Sequence, residues 1–531
     1  MEAETAIAHS NTPFRGGHVS PAVLAVFGML TLVYAALFLR LYPCVPWNCD
    51  DWTYLGLFHS ILPSTARWNP ARIFQEFFMP LGGYFVAYVM RPLFGLDYLQ
   101  ALTLTCSGLA VAAWLSLNVF AYRFFRSAAR ESIQETQALP PGSPSPRRAS
   151  GCLPALCGLL LLNAGFFLPT AVRLPLVISA PEPNMLFLYD LPNILNAVLV
   201  MVLCQALLGK GEGAACFFGA PLSLSSAHKH AAALACGLIL VYFAQFSITI
   251  ASAMAAIPAG SLLLFRLIRY AKNADGKLLG SIARQSAFLD LFCGIAVIFW
   301  FAAAFLDLQG GRFASLSPAP QSFLEILILH YTVLSACIPR WLLLALLILI
   351  IANASVIARD KRKGEQDAGA DGLCTFLGVM GLSFLLLLTL NMLIFHTTKI
   401  GLDNRFLFGL VFYFYITLIV NALFLQKRMP MALIGILPLP VLLFANVMLA
   451  EPWMPRPMLY AEHRKAVVQA WLDDIVGADR AGKSEALIRT PTPAWPHPKD
   501  YLGDRLARTL FHHGITSKHM TIRLESPAGV E

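Results

Sequence analysis

Two adjacent carboxylates, Asp50 and Asp51 in Cys49-Asp50-Asp51-Trp52, are the residues of this chain best suited to chemistry. Neighbouring carboxylates repel each other, so either one is held with a raised pKa suited to proton transfer or both are stabilised by a divalent cation. A plainer use is open to Asp51, which precedes Trp-Thr-Tyr-Leu and could cap the start of a helix. A third carboxylate, Glu76, follows in Arg72-Ile-Phe-Gln-Glu-Phe-Phe-Met-Pro80. There Ile73, Phe74, Phe77 and Phe78 share one helical face, the pattern of a helix lying on a membrane surface with Glu76 turned to water. The Gly-x-Ser-x-Gly and His-Glu-x-x-His signatures are absent, and no Cys-x-x-Cys spacing points to a metal site.

The elements that must position these residues are set by composition. Of 531 residues, 57% are hydrophobic and 13% charged, with mean hydropathy +0.64, against roughly 25% charged in a soluble domain. That balance excludes a soluble enzyme. Disorder is excluded too, because the apolar residues come in blocks of about 20 separated by charged loops. The run from about Pro21 to Tyr42 is too long for a signal peptide and lacks its small-residue cleavage site, so it is a retained first span. Further apolar blocks centre near residues 108, 161, 199, 238, 258, 296, 349, 385, 415 and 440. The sequence therefore predicts an all-α polytopic membrane protein of about eleven transmembrane helices. Residues 323–338 are read as an interfacial or re-entrant segment, since a further span there would put Arg359, Lys361, Arg362 and Lys363 on the wrong side.

The net charge of +9 is explained by orientation rather than by nucleic acid. Lys and Arg gather after the block near 108, after Phe265, at 359–363 and at 427–428, all on one side if the N-terminus is cytoplasmic and the C-terminus extracytoplasmic. The expected organisation is a cytoplasmic tail (1–20) and a transmembrane domain (21–450). The latter contains a first outer loop at 43–94 and a cytoplasmic Pro- and Ser-rich linker at 123–150. A small extracytoplasmic α/β domain (451–531) follows, with helices at about 460–476, stopped by Gly477, and at 501–513, and strands near Leu487-Ile488 and 520–524. Cys44 and Cys49 flank a Pro-containing stretch and could pair on the outer side.

A first span, an acidic pair opening the first outer loop, a surface helix with a carboxylate, and Met79-Pro80-Leu81-Gly82-Gly83-Tyr84 leading to the next span together resemble the GT-C superfamily of integral membrane glycosyltransferases. That superfamily includes the protein O-mannosyltransferases and the lipid A aminoarabinose transferase. The likeness is closest to bacterial members with eleven or more spans. It implies a cytoplasmic (inner) membrane location, a polyprenyl-phosphate sugar as donor, and a glycan, lipid or protein acceptor. It also implies that the catalytic acid position falls on Asp50 or Asp51 and the surface-helix carboxylate on Glu76. Trp52 and Tyr84, within the same window, are candidate substrate contacts.

Other polar residues of the expected outer face could complete such a site. Arg173 and Glu182 come from the second outer loop, and Lys399, Asp403 and Arg405 from the loop before the block near 415. A lipid phosphate needs cationic donors at the membrane surface, which makes Lys399 and Arg405 its candidates, with snorkelling anchors as the plainer use. A transporter or flippase of a lipid or small solute is the alternative from a different class. It would call for hydropathy repeats, whereas the odd span count and the elaborate first loop argue against internal symmetry.

Overall fold

A computed structural model describes residues 20–57, 60–134, 152–167, 182–208, 226–272, 279–311, 322–362, 368–398, 404–428, 456–490 and 499–525. They form fifteen helices and one two-stranded sheet. In chain order the first eight helices are α1 (Pro21–Leu41), α2 (Cys49–Gly56), α3 (Phe74–Phe94), α4 (Tyr98–Gln134), α5 (Cys152–Phe167), α6 (Pro183–Leu208), α7 (Ser226–Gln245) and α8 (Thr249–Lys272). Then follow α9 (Leu279–Gln309), α10 (Phe323–Cys337), α11 (Arg340–Arg362), α12 (Ala368–Thr398), α13 (Asn404–Arg428) and α14 (Arg456–Arg480). The chain ends with β1 (Glu485–Arg489), α15 (Lys499–His512) and β2 (Thr521–Glu525).

Nine of the described helices, α1, α3, α4, α6, α8, α9, α11, α12 and α13, are long and apolar enough to cross a membrane. The protein is thus an all-α polytopic membrane protein with a small α/β unit at its C-terminal end. The spanning window of α13 is 89% buried inside the protein, whereas that of α11 is 17% buried. Helices apolar on every side are stable in that outer position only against lipid. Polar side chains between helices pair with one another. Tyr34, Asn118 and Asn163 close a ring of hydrogen bonds joining α1, α4 and α5, with Asn118 Nδ2 donating to the Tyr34 hydroxyl at 2.6 Å.

Several expectations need correction. The blocks near 161 and 238 form shorter apolar helices, α5 and the second half of α7. The block near 440 lies outside the described residues. The second half of the first outer loop is α3, 21 residues long and, by length and composition alone, apolar enough to span; the eleven-span count takes it as the surface helix. Glu76 does not face water but is 2% exposed, as Gln75 is 1%. The first turn of α3 is π-helical over Phe74–Phe78, and the wider turn rotates Gln75 and Glu76 off the face that a regular helix would give them. His330 is buried, with Nδ1 donating to the Ile326 carbonyl at 2.8 Å and the ring edge-on to Phe395. Cys44 and Cys49 are free thiols.

The C-terminal unit follows its sequence closely. Strands β1 and β2 pair in parallel, Glu485 opposite Thr521, and Val468, Trp471, Leu472 and Ile475 of α14 form its core with Ile488, Leu502, Leu506 and Leu510. Helix α14 runs through Gly477 to Arg480, and the left-handed residue that ends it is Gly482 at φ +75°.

Candidate active site

Helix α2 places the acidic pair. Its N-cap is Asn48, whose Oδ1 accepts the Asp51 N–H at 2.9 Å, while Asp51 Oδ2 accepts the Asn48 N–H at 3.1 Å. Asp51 is therefore the third residue of a capping box, not the cap itself. The same Oδ2 takes the Trp47 N–H at 2.8 Å, and Oδ1 takes the Asn184 N–H at 2.8 Å. Three backbone donors thus converge on one fully buried carboxylate. Burial, with the Glu182 carboxylate nearby, pushes its pKa upward against the pull of those donors. Asp50, one residue earlier and about 100° round the helix, is only half-buried.

Residues distant in sequence complete the cluster. Glu182 accepts a hydrogen bond from Asn48 Nδ2 and pairs at 2.8 Å with Arg464 Nη1 of α14. The Arg464 guanidinium lies 5.0 Å over the Trp47 ring, which stacks on Trp471 at 6.1 Å. Gln75 Nε2 donates to Asn184 Oδ1 at 2.6 Å, and Glu76 pairs with Arg67 at 3.4 Å. Asn48, Gln75, Asn184 and Arg464 escape sequence reasoning because single amides and one Arg on a polar helix carry no pattern. Arg72, on the segment that leads into Gln75, keeps a buried Nη1 without a hydrogen-bond partner.

At its other end α2 is held by α15. The Thr509 hydroxyl donates to the Trp52 carbonyl, and the last carbonyls, which a helix leaves without intrahelical partners, are met by two histidines. His512 Nδ1 meets the Gly56 carbonyl at 3.1 Å, and His513 Nε2 meets that of Leu55 at 3.1 Å. The approach requires glycine: a Cβ on Gly56 would stand 2.8 Å from Thr509 Cα, and one on Gly83 of α3 only 2.6 Å from the Leu55 oxygen. Tyr84 stacks on Tyr88 and meets His513 edge-on at 5.0 Å. Trp52 is fully buried in this packing.

Since the Leu55 carbonyl can only accept, Nε2 of His513 carries the proton, and Nδ1 accepts from the Tyr98 hydroxyl at 2.7 Å. Burial keeps the ring neutral and lowers its pKa from 6.5 to about 4. The undocked helix binds a proton between those values that the docked one does not. Docking is therefore at full strength above pH 6.5 and weakens as pH falls toward 4, by up to about 3 kcal/mol. Limited proteolysis is expected to release the C-terminal unit faster at pH 4.5 than at pH 7 in the wild type, and His513→Gln is expected to flatten that difference.

The candidate sites gather only in part. Asp51 and Glu182 are joined through Asn48, and Glu76 is the neighbour of Gln75, which bonds to Asn184; Asp50 and Trp52 stand on the same short helix as Asp51, and Tyr84 sits at its α15 end. Arg173, Lys399 and Asp403 lie outside the described residues, and of Arg405 only the helical backbone is described. Asp51 already accepts three N–H groups and Glu182 meets Asn48 and Arg464, so of these three carboxylates Asp50 is the least engaged. Among the described residues no three of His, Cys, Asp and Glu are placed to hold a metal ion together.

The run Gly477-Ala-Asp-Arg-Ala-Gly482-Lys483-Ser484 has the letter spacing of a phosphate-binding loop. Such a loop leads from a strand into a helix N-terminus, whereas this one leads from the end of α14 into β1, and its Gly482 and Lys483 N–H groups bond to the Asp479 and Ala478 carbonyls. No protein-family model matches the chain, and no curated protein is significantly similar to it.

Proposed function

We propose that the protein is an integral membrane glycosyltransferase that moves a sugar from a polyprenyl-phosphate donor to a hydroxyl of a glycan, lipid or protein acceptor at the outer face of a bacterial cytoplasmic membrane. The observation that carries this reading is the division of labour in the acidic pair. Asp51 is engaged by three backbone donors and has the geometry of a fixed support, while Asp50 is half-buried on the same short helix.

In this reading Asp50 takes the proton of the acceptor hydroxyl as its oxygen bonds to the anomeric carbon. The bond from that carbon to the phosphate oxygen breaks, polyprenyl phosphate leaves, and the configuration inverts. Lys399 and Arg405 are the proposed phosphate contacts, with Arg72 as a further cation on the segment that carries Gln75 and Glu76.

The test is to incubate the full chain in nanodiscs with a panel of undecaprenyl-phosphate sugars and follow release of undecaprenyl phosphate by mass spectrometry. Turnover of one donor supports transfer. Movement of intact lipid across a vesicle bilayer without cleavage would replace it with flipping.

Orientation belongs to the same proposal. Reporter fusions at Ala138, Lys272 and Lys361 are expected to report cytoplasm, and those at Asp51 and His497 the outer side. The packing of α15 on α2 supports a common side for the last two, and a cytoplasmic signal at His497 would break the eleven-span arrangement.

A further inference from the structure

Arg464 belongs to the C-terminal unit, yet its guanidinium ends in the acidic cluster. Its side chain is 6% exposed and that of Glu182 is 7%. From Glu182 the contacts continue without a gap, since Asn48 Nδ2 donates to Glu182 and Asn48 Oδ1 accepts the Asp51 N–H. Trp47, beneath the guanidinium, in turn gives its N–H to Asp51. Two routes therefore lead from one cation to the first turn of α2. The hydrogen bonds of the unit to α2 itself, from Thr509, His512 and His513, reach only its second half, from Trp52 to Gly56.

We propose that Arg464 is a positioning residue for the acidic pair, setting the N-terminal turn of α2 through Glu182 and Trp47 so that Asp50 faces the reacting centre. The proposal rests on the reading of Asp50 as the base. A pure docking anchor would need neither route, because α15 and the Trp47–Trp471 stack also fasten the unit. Removing one partner of a buried ion pair leaves an uncompensated charge, whereas removing both is far milder. In Arg464→Met the Glu182 carboxylate loses its cation and crowds Asp51.

The experiment uses the full chain in nanodiscs with whichever undecaprenyl-phosphate sugar the wild type turns over. Arg464→Met is expected to lower kcat by about 10- to 100-fold with donor KM within about threefold, and to displace the pH profile of kcat. Adding Glu182→Gln should restore about tenfold of the loss, and Arg464→Lys, which keeps the charge without the fork, should fall between. Unchanged kcat, or losses from Arg464→Met and Glu182→Gln that simply add, in variants whose C-terminal unit still resists protease, would overturn the inference.

Hydrogen exchange gives a readout that does not need turnover. Amides of 49–52 should exchange at least about tenfold faster in Arg464→Met while those of α15 hold their rate. Equal protection of 49–52 in both proteins would also overturn it. A wild type that cleaves no donor would sink the transfer reading, and hydrogen exchange would still decide whether Arg464 sets α2.

Discussion

Asp51→Asn is expected to unseat α2, although Asn and Asp cap helices about equally well. The difference lies in which atoms are used. Both carboxylate oxygens accept backbone N–H groups, Oδ2 from Trp47 and Asn48 and Oδ1 from Asn184. An amide has one oxygen, so its NH2 must face either one N–H donor or two. A fully buried donor left without an acceptor costs about 1 to 3 kcal/mol, and the opposed N–H groups add to it, so a loss of about 2 to 5 kcal/mol is expected. The check is thermal unfolding together with hydrogen exchange over 47–56. A variant as stable as the wild type, with α2 still protected, would mean that the carboxylate is not held as described.

Asp50→Asn is expected to behave in the opposite way. Asp50 stands in the first turn of α2, and Asn fits that place at little cost. If Asp50 takes the acceptor proton, the amide cannot replace it, and the transfer rate should fall by about 10² to 10⁴. Donor binding should persist, because the lipid phosphate is assigned to other residues. Glu76→Gln should cost less, since Glu76 is buried against Arg67 and acts at most through its neighbours. Full activity in both single variants and in the Asp50→Asn, Asp51→Asn double variant would remove the acidic pair from the chemistry.

Much of the membrane architecture was legible in the sequence, because a span is a local property of about 20 residues. The blocks near 108, 199, 258, 296, 349, 385 and 415 are α4, α6, α8, α9, α11, α12 and α13. Reading failed where local rules give way to tertiary ones. The stretch Phe74–Phe94 is the least apolar of the nine, at mean hydropathy 1.2, and its Gln75 and Glu76 look like a wet face until Asn184 and Arg67 supply partners. Gly477 looks like a helix stop, yet the left-handed conformation falls on Gly482.

The candidate site was legible only as far as its own segment. Asp50, Asp51 and Glu76 announce themselves as carboxylates in an apolar chain. What fixes them comes from Glu182 and Asn184 on one side and from Arg464, Thr509 and His513 on the other. Such contacts are made by folding the C-terminal unit back onto α2, and no spacing in the sequence encodes them.

The most direct measurement is a single-turnover assay of wild type and Asp50→Asn in nanodiscs loaded with the undecaprenyl-phosphate sugar that the wild type uses, with donor binding measured in the same samples. The expected result is release of undecaprenyl phosphate by the wild type and donor bound but retained intact by Asp50→Asn. Release at the wild-type rate from Asp50→Asn, in a protein that folds normally, would contradict it.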